Sequence, residues 1–195
     1  MPLPALFVSH GAPTLALEDN AVTRTFGELG RTLAPRAIVA VSAHWDTPGP
    51  AVTTAARLGT IHDFSGFPKP LYDLRYDAPG APDLAQRAAA LLRASGCTAA
   101  VNGCRGLDHG AWVPLRWMYP DADVPVVQLS VQTALGAGHH LRLGEALAPL
   151  ASEDVLVIGS GHVTHTLRDW AMHRHEAATL EYVPRFADWL QDALA

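Results

Sequence analysis

Apolar and polar positions alternate along this chain in two distinct rhythms. Runs rich in Val, Ile and Leu occupy residues 5–9, 37–43, 98–102, 125–130 and 154–159. Near-continuous apolar runs of that length are what strands buried on both faces require. Between them, apolar positions recur at helical spacing over 20–33, 81–95, 138–151 and 176–194. The helix over 81–95 is the plainest: Pro82 suits a first turn, Leu84, Ala88, Leu91 and Leu92 form one face, and Gly96 ends it. This order predicts an α/β fold, a mostly parallel central sheet with helices on both faces. Residues 46–80 break the rhythm with many Pro and Gly. A segment that long inside a compact domain is expected to serve a function, here as an ordered lid or pocket wall. The last helix places Tyr182, Phe186, Trp189, Leu190 and Leu194 on one face and runs to Ala195 without a stop signal. The expectation is a chain shortened at its C-terminus, with an exposed apolar patch that favours self-association into a homo-oligomer.

Composition narrows the picture. A length of 195 residues suits one domain, residues 1–195. Hydrophobic residues make up 49% and charged residues 17%, and the formal net charge is −5. Nothing in that balance draws the chain to nucleic acid or to an anionic membrane. The apolar runs are too short to span a bilayer, and Met1-Pro2-Leu3-Pro4 lacks the basic start of a signal peptide. Cys97 and Cys104 lack C-x-x-C spacing and read as reduced thiols of a cytoplasmic protein, a single disulfide being the less favoured alternative.

The chemistry lies in the histidines. His10 follows the run 5–9, His44 follows 37–43, and His162 and His165 follow 154–159. In open α/β sheets ligands sit beyond the carboxyl ends of the strands, and neutral imidazoles bind borderline divalent metals. One such histidine reads as a core residue bonded to backbone; with ten histidines in the chain, two strand ends both followed by one favour a metal pair. Gly11 lets a ligand approach the turn after His10. A helix is expected to begin near Val163, with His165 in its first turn, but spacing does not choose between His162 and His165. In Leu107-Asp108-His109-Gly110-Ala111-Trp112, Asp108 suits a helix cap or an imidazole partner. His109 is either a surface histidine or an acid/base group. His139 and His140 read as solvated, and His173 and His175 as a surface connector. Glu18 and Asp19 read as charges opening a helix. Trp45 and Trp112 neighbour the best histidine segments and are expected in the pocket wall.

Several segments together carry a resemblance. They are Ser9-His10-Gly11-Ala12-Pro13, Leu17-Glu18-Asp19-Asn20, Val41-Ser42-Ala43-His44-Trp45, Ile61-His62-Asp63-Phe64, Leu107 to Trp112, Tyr119 to Asp123, Val127 to Ser130 and Gly159 to His165. In this order they resemble the class III (LigB-type) extradiol ring-cleavage dioxygenases, in particular the 4,5-DOPA extradiol dioxygenase group. The resemblance implies one divalent metal, Fe(II) or Zn(II), held by His10, His44 and His165 at the carboxyl ends of the strands. It implies an acid/base role for His109 and substrate contact by His62. The partners it implies are a DOPA-like catechol and O2. It also implies that family members continue about 60 residues past Ala195, with a further active-site histidine there. Two other readings stay open: a zinc-dependent hydrolase on the same histidines, and a catalytically impaired metal- or ligand-binding member of the fold.

Overall fold

The computed structural model of the chain describes residues 2–173 and 179–194, with Trp170 described by its backbone alone. Its apolar runs become strands β1 (Leu6–Ser9), β2 (Ala37–Asp46), β5 (Val126–Val131) and β6 (Val155–Gly161). The fifth run, 98–102, shortens to β4 (Ala100–Asn102), and with β3 (Ala51–Thr53), which the pattern did not predict, it completes one six-stranded sheet in the order β1-β6-β2-β5-β3-β4. All pairings are parallel except β3 with β5, which meet antiparallel at Val52 and Leu129.

Side chains alternate across this sheet, and each face has its own core. On one face Ile38, Ala40, Leu156 and Ile158 pack with Phe26 of α1 (Ala21–Thr32) and with Trp112, Leu115 and Met118 of α4 (His109–Met118). On the other, Val39, Val127, Leu129 and Val155 pack with Leu84, Ala88 and Leu92 of α3 (Pro82–Ala94) and with Leu143 and Leu147 of α5 (Gly136–Leu147). The expected α/β architecture is therefore present, with helices on both faces.

The local signals hold in detail at some ends and shift at others. The cap of α1 is Asn20, whose Oδ1 accepts from the backbone N–H of Val22 and Thr23; Glu18 and Asp19 precede the helix rather than open it. The segment 46–80 is ordered: it contains β3 and the short helix α2 (Lys69–Asp73), and it buries Leu58, Leu71 and Tyr76. The helix after β6 begins at Leu167, not near Val163, so His165 precedes α6 (Leu167–His173) by two residues. His173 ends α6 and is half-buried rather than part of a surface connector; His175 lies outside the described residues, as does the start of the helix expected over 176–194. That helix is α7, Tyr182–Leu194.

The chain divides into two compact units, Met1–Gly161 and His162–Ala195. The first holds the whole sheet and α1 to α5; the second holds α6 and α7. Nothing in α7 is buried, and Trp189 and Leu194 are 59% and 79% exposed, as the unpartnered apolar face of that helix led one to expect. Among the described residues no helix is long and apolar enough to cross a membrane.

Candidate metal centre

The carboxyl end of the sheet in the first unit gathers three imidazoles. His10 directly follows β1, in a turn that Gly11 completes at a φ of +67°. A side chain at Gly11 would both strain that left-handed backbone and press on Leu15 at 2.9 Å. His44 lies near the end of β2, where the pairing with β5 shifts register between Val41 and Asp46. His109 opens α4 and arrives from a different direction, brought in by the Asp108 cap.

The rings converge. His10 Nε2 and His44 Nε2 are 3.0 Å apart. The His109 ring centroid stands 4.0 Å from that of His44 and 5.2 Å from that of His10. One nitrogen from each of the three lies within 4.8 Å of the others, the spacing of a metal-binding group. His10 and His109 are buried, while the His44 side chain keeps about a third of its surface, 31%, exposed.

The His10 and His109 rings are held from behind. His10 Nδ1 meets the hydroxyl of Ser160 at 2.9 Å, and that hydroxyl donates onward to the Gly110 carbonyl at 2.5 Å. Asp63 receives His109 twice: Oδ1 accepts from its backbone N–H and Oδ2 faces Nδ1, both at 2.9 Å. The same Oδ2 lies 3.8 Å from His44 Nδ1. Burial alone would raise the pKa of Asp63; the ring and backbone hydrogen bonds from His109, with the ring's charge, outweigh it and hold the carboxyl below its usual range. An anionic Asp63 facing Nδ1 keeps the proton on that nitrogen and leaves Nε2 of His109 as a lone-pair donor or proton carrier. Two Nε2 atoms at hydrogen-bond distance, with a third imidazole against them, are a donor set that fits a divalent metal.

A wall of aromatic rings stands beside this cluster. Phe64 meets His109 edge-on at 5.7 Å and His62 edge-on at 5.6 Å. Trp112 is fully buried behind them, 5.9 Å from His62, and its indole N–H donates to the Ile61 carbonyl. His62 Nε2 lies 3.2 Å from the Leu74 carbonyl. The segment 46–80 thus places Phe64 and His62 beside the cluster. Trp45 is buried and covered by the Arg105 guanidinium at 4.8 Å.

The sequence singled out His10, His44 and His109, and the structure brings them together. It missed Asp63, which reaches His109 from 46 positions away in an irregular segment; the one available signal was an acid beside a histidine inside an aromatic stretch. His165 belongs to the second unit. There it is exposed, its ring 4.9 Å from that of His162, and it lines an open cleft with Tyr182, Arg185, Phe186 and Trp189. The expectation of solvated His139 and His140 is corrected. His139 is buried with Nε2 3.0 Å from Gln132 Oε1, and His140 Nε2 accepts from the Gln132 backbone N–H. Asp108 does cap α4, through Ala111 N, but its other partners are Ser42, Arg105 and Gln128 rather than an imidazole. Cys97 and Cys104 are both unbridged.

Residues 4–195 match the family described as the catalytic LigB subunit of aromatic ring-opening dioxygenase. A 4,5-DOPA dioxygenase extradiol of Beta vulgaris is 46% identical over 193 residues, spanning 96% of this chain and 71% of that protein. The protein of the same description from Escherichia coli K12 is 49% identical over 172 residues, spanning 88% of this chain and 63% of that one. The crystal structure of an uncharacterized Escherichia coli K12 protein superposes with a TM-score of 0.71 at 43% identity, covering 85% of this chain and 62% of that one. The chain therefore spans roughly two thirds of the length of these relatives, and it belongs to the family of catalytic LigB subunits of aromatic ring-opening dioxygenases.

Proposed function

We propose that this protein is a metal-dependent extradiol dioxygenase that opens the ring of a DOPA-like catechol with O2. The observation that carries the reading is the meeting of His10 and His44 through their Nε2 atoms, with His109 against both. The names of the relatives support it, and neither the hydrolase nor the impaired binding protein has support from them.

His10 and His44 would hold the metal, with His165 as the third ligand on the strength of the resemblance. The cluster in the first unit favours a second reading, in which His109 completes the set. Fe(II) supplies redox activation of catechol and O2 when bound. The protein's own groups do the rest. Ser160 holds the His10 ring, and Asp63 the His109 ring, in orientation. His109, its Nδ1 fixed by Asp63, carries a proton on Nε2 toward or away from the reacting oxygens. Phe64 and His62 give the substrate ring an apolar wall with a polar edge. Positioning by these groups turns an encounter of separate reactants into one within a single site.

The test is oxygen uptake by anaerobically iron-loaded protein over a panel of catechols. We expect stoichiometric uptake and a yellow semialdehyde with DOPA. Hydrolysis of an ester without oxygen consumption would overturn the reading. Part of the proposal is a cytoplasmic setting, supported by the unbridged cysteines, which fractionation tests. Another part is homo-oligomerisation, supported by the exposed apolar side chains of α7, which light scattering tests.

A further inference from the structure

Beneath the histidines lies a buried carboxylate that none of the chemistry above uses. Asp108 is completely buried. Its Oδ1 accepts from the Ser42 hydroxyl at 2.6 Å and from Ala111 N at 3.3 Å. Its Oδ2 accepts from Arg105 Nη2 at 2.8 Å and from Gln128 Nε2. Capping α4 needs one side-chain oxygen, and Ser or Asn would provide it. The second oxygen and the charge are surplus to that task.

The groups that meet on Asp108 also grip His44. Ser42 Oγ accepts from the His44 backbone N–H at 3.2 Å, and Arg105 Nη2 reaches the His44 carbonyl at 3.4 Å. This is the stretch where β2 loses its register with β5, between Val41 and Asp46. Side chains take over there from the regular ladder in fixing the strand end. His109 is the residue after Asp108, so one carboxylate ties together the two backbones whose rings stand 4.0 Å apart. Gly110 makes the approach feasible: a Cβ there would lie 2.3 Å from Ser42 Oγ and 2.9 Å from His44 Cδ2.

The cluster is poorly built for stability alone. Arg105 Nε and Gln128 Oε1 are buried without a hydrogen-bond partner. Unsatisfied buried polar atoms destabilise a fold, and apolar residues in place of a buried ion pair are commonly neutral or better. We propose that Asp108, with Arg105 and Ser42, is a positioning clamp that fixes His44 and its spacing from His109, and that the hold on His44 sets the affinity and geometry of the metal site. This rests on the metal reading above.

The experiment is Co(II) titration of the apoprotein, followed by visible absorption and by chelator competition, on the wild-type chain and on Asp108→Asn and Arg105→Met. Asp108→Asn keeps the cap oxygen and removes the charge. Arg105 retains 21% of its side-chain surface and belongs to neither apolar core, and Met keeps much of the volume of its stem. Both variants are expected to bind Co(II) about 10- to 100-fold more weakly, the usual effect of losing outer-shell support. Their visible bands are expected to shift, while far-UV circular dichroism of the apoproteins stays that of the wild type. Wild-type affinity and bands in folded Asp108→Asn would overturn the clamp with the metal site intact. If Asp108→Asn does not fold, unchanged bands in Arg105→Met overturn it instead. A wild-type chain that binds no Co(II) would overturn the metal reading itself, and the clamp with it.

Discussion

Two buried histidine clusters sit on this sheet, and they are built to opposite ends. Around His139 every polar contact closes on a neighbour. Its Nε2 meets Gln132 Oε1, Gln132 Nε2 donates to the carbonyl and hydroxyl of Ser130, and the Ser130 hydroxyl accepts from Ala51 N. That network pins the loop after β5. Around His10, His44 and His109 the supporting bonds come from behind, from Ser160 and Asp63, and two Nε2 atoms are pressed together. Burial does not distinguish the two clusters, since His10, His109 and His139 are all buried. The partner of Nε2 does. A histidine whose Nε2 is spent on a structural partner is a strut, whereas one whose Nε2 converges on another imidazole is a ligand or a proton carrier.

The largest test of that contrast removes a ligand. His10→Ala or His44→Ala should abolish stoichiometric metal binding by equilibrium dialysis, while His139→Ala should leave one metal per chain. Retention of the metal in either of the first two, in a chain with native circular dichroism, would dissolve the distinction.

The next test separates ligand from proton carrier. His109→Ala is expected to keep its metal and to slow ring cleavage by about 10²-fold or more, the scale of acid/base catalysis. His165→Ala is expected to lose the metal, and His162→Ala to keep it. The converse result, with metal lost from His109→Ala and kept by His165→Ala, would make His109 the third ligand.

Asp63→Asn comes next in size. An amide in place of the carboxylate cannot hold the Nδ1 proton of His109 by charge. Turnover should fall by about 10- to 100-fold with little change in substrate KM. A rise in KM alone, at constant kcat, would place Asp63 in the pocket wall instead of behind His109.

Much of this was readable from the chain, and the reasons are local. β2, β5 and β6 are buried on both faces, so their sequences are mostly apolar and rich in Val, Ile and Leu. His10 and His44 stood out because each follows such a run. β3 spans three residues, too few to show any period, inside a stretch dominated by Pro and Gly. Asp63 and Asp108 act across distances of 46 and 66 residues, through contacts that only the folded chain creates. His139 was misjudged because the first turn of a helix is ordinarily solvated; here α5 lies against the sheet, and Gln132 offers the partner that makes burial tolerable. The helix expected at Val163 starts four residues later because the chain after Gly161 runs through bends before Leu167.

The smallest effect concerns the strut. Burial, together with the electrostatic influence of the neighbouring His140 and Arg142, lowers the pKa of His139 in the folded chain. In the unfolded chain it titrates near the ordinary histidine value of about 6.5. Above that pH both states hold the ring neutral and the shift contributes nothing. As the pH falls below it, the unfolded chain takes up a proton that the folded chain still refuses, so stability declines. The decline levels off once the pH passes below the folded pKa. Protonation also turns both ring nitrogens into donors. The contact with Gln132 Oε1 survives this, and what disfavours the charged ring is its surroundings. His139→Gln removes the titration while keeping a side chain that can donate to Gln132. Urea midpoints at pH 7.5 and pH 5.5 should differ less in His139→Gln than in the wild type, both measured as metal-free protein so that the other cluster contributes equally. An identical drop in the two proteins would show that His139 does not resist protonation, and that the closed network around it is looser than its hydrogen bonds imply.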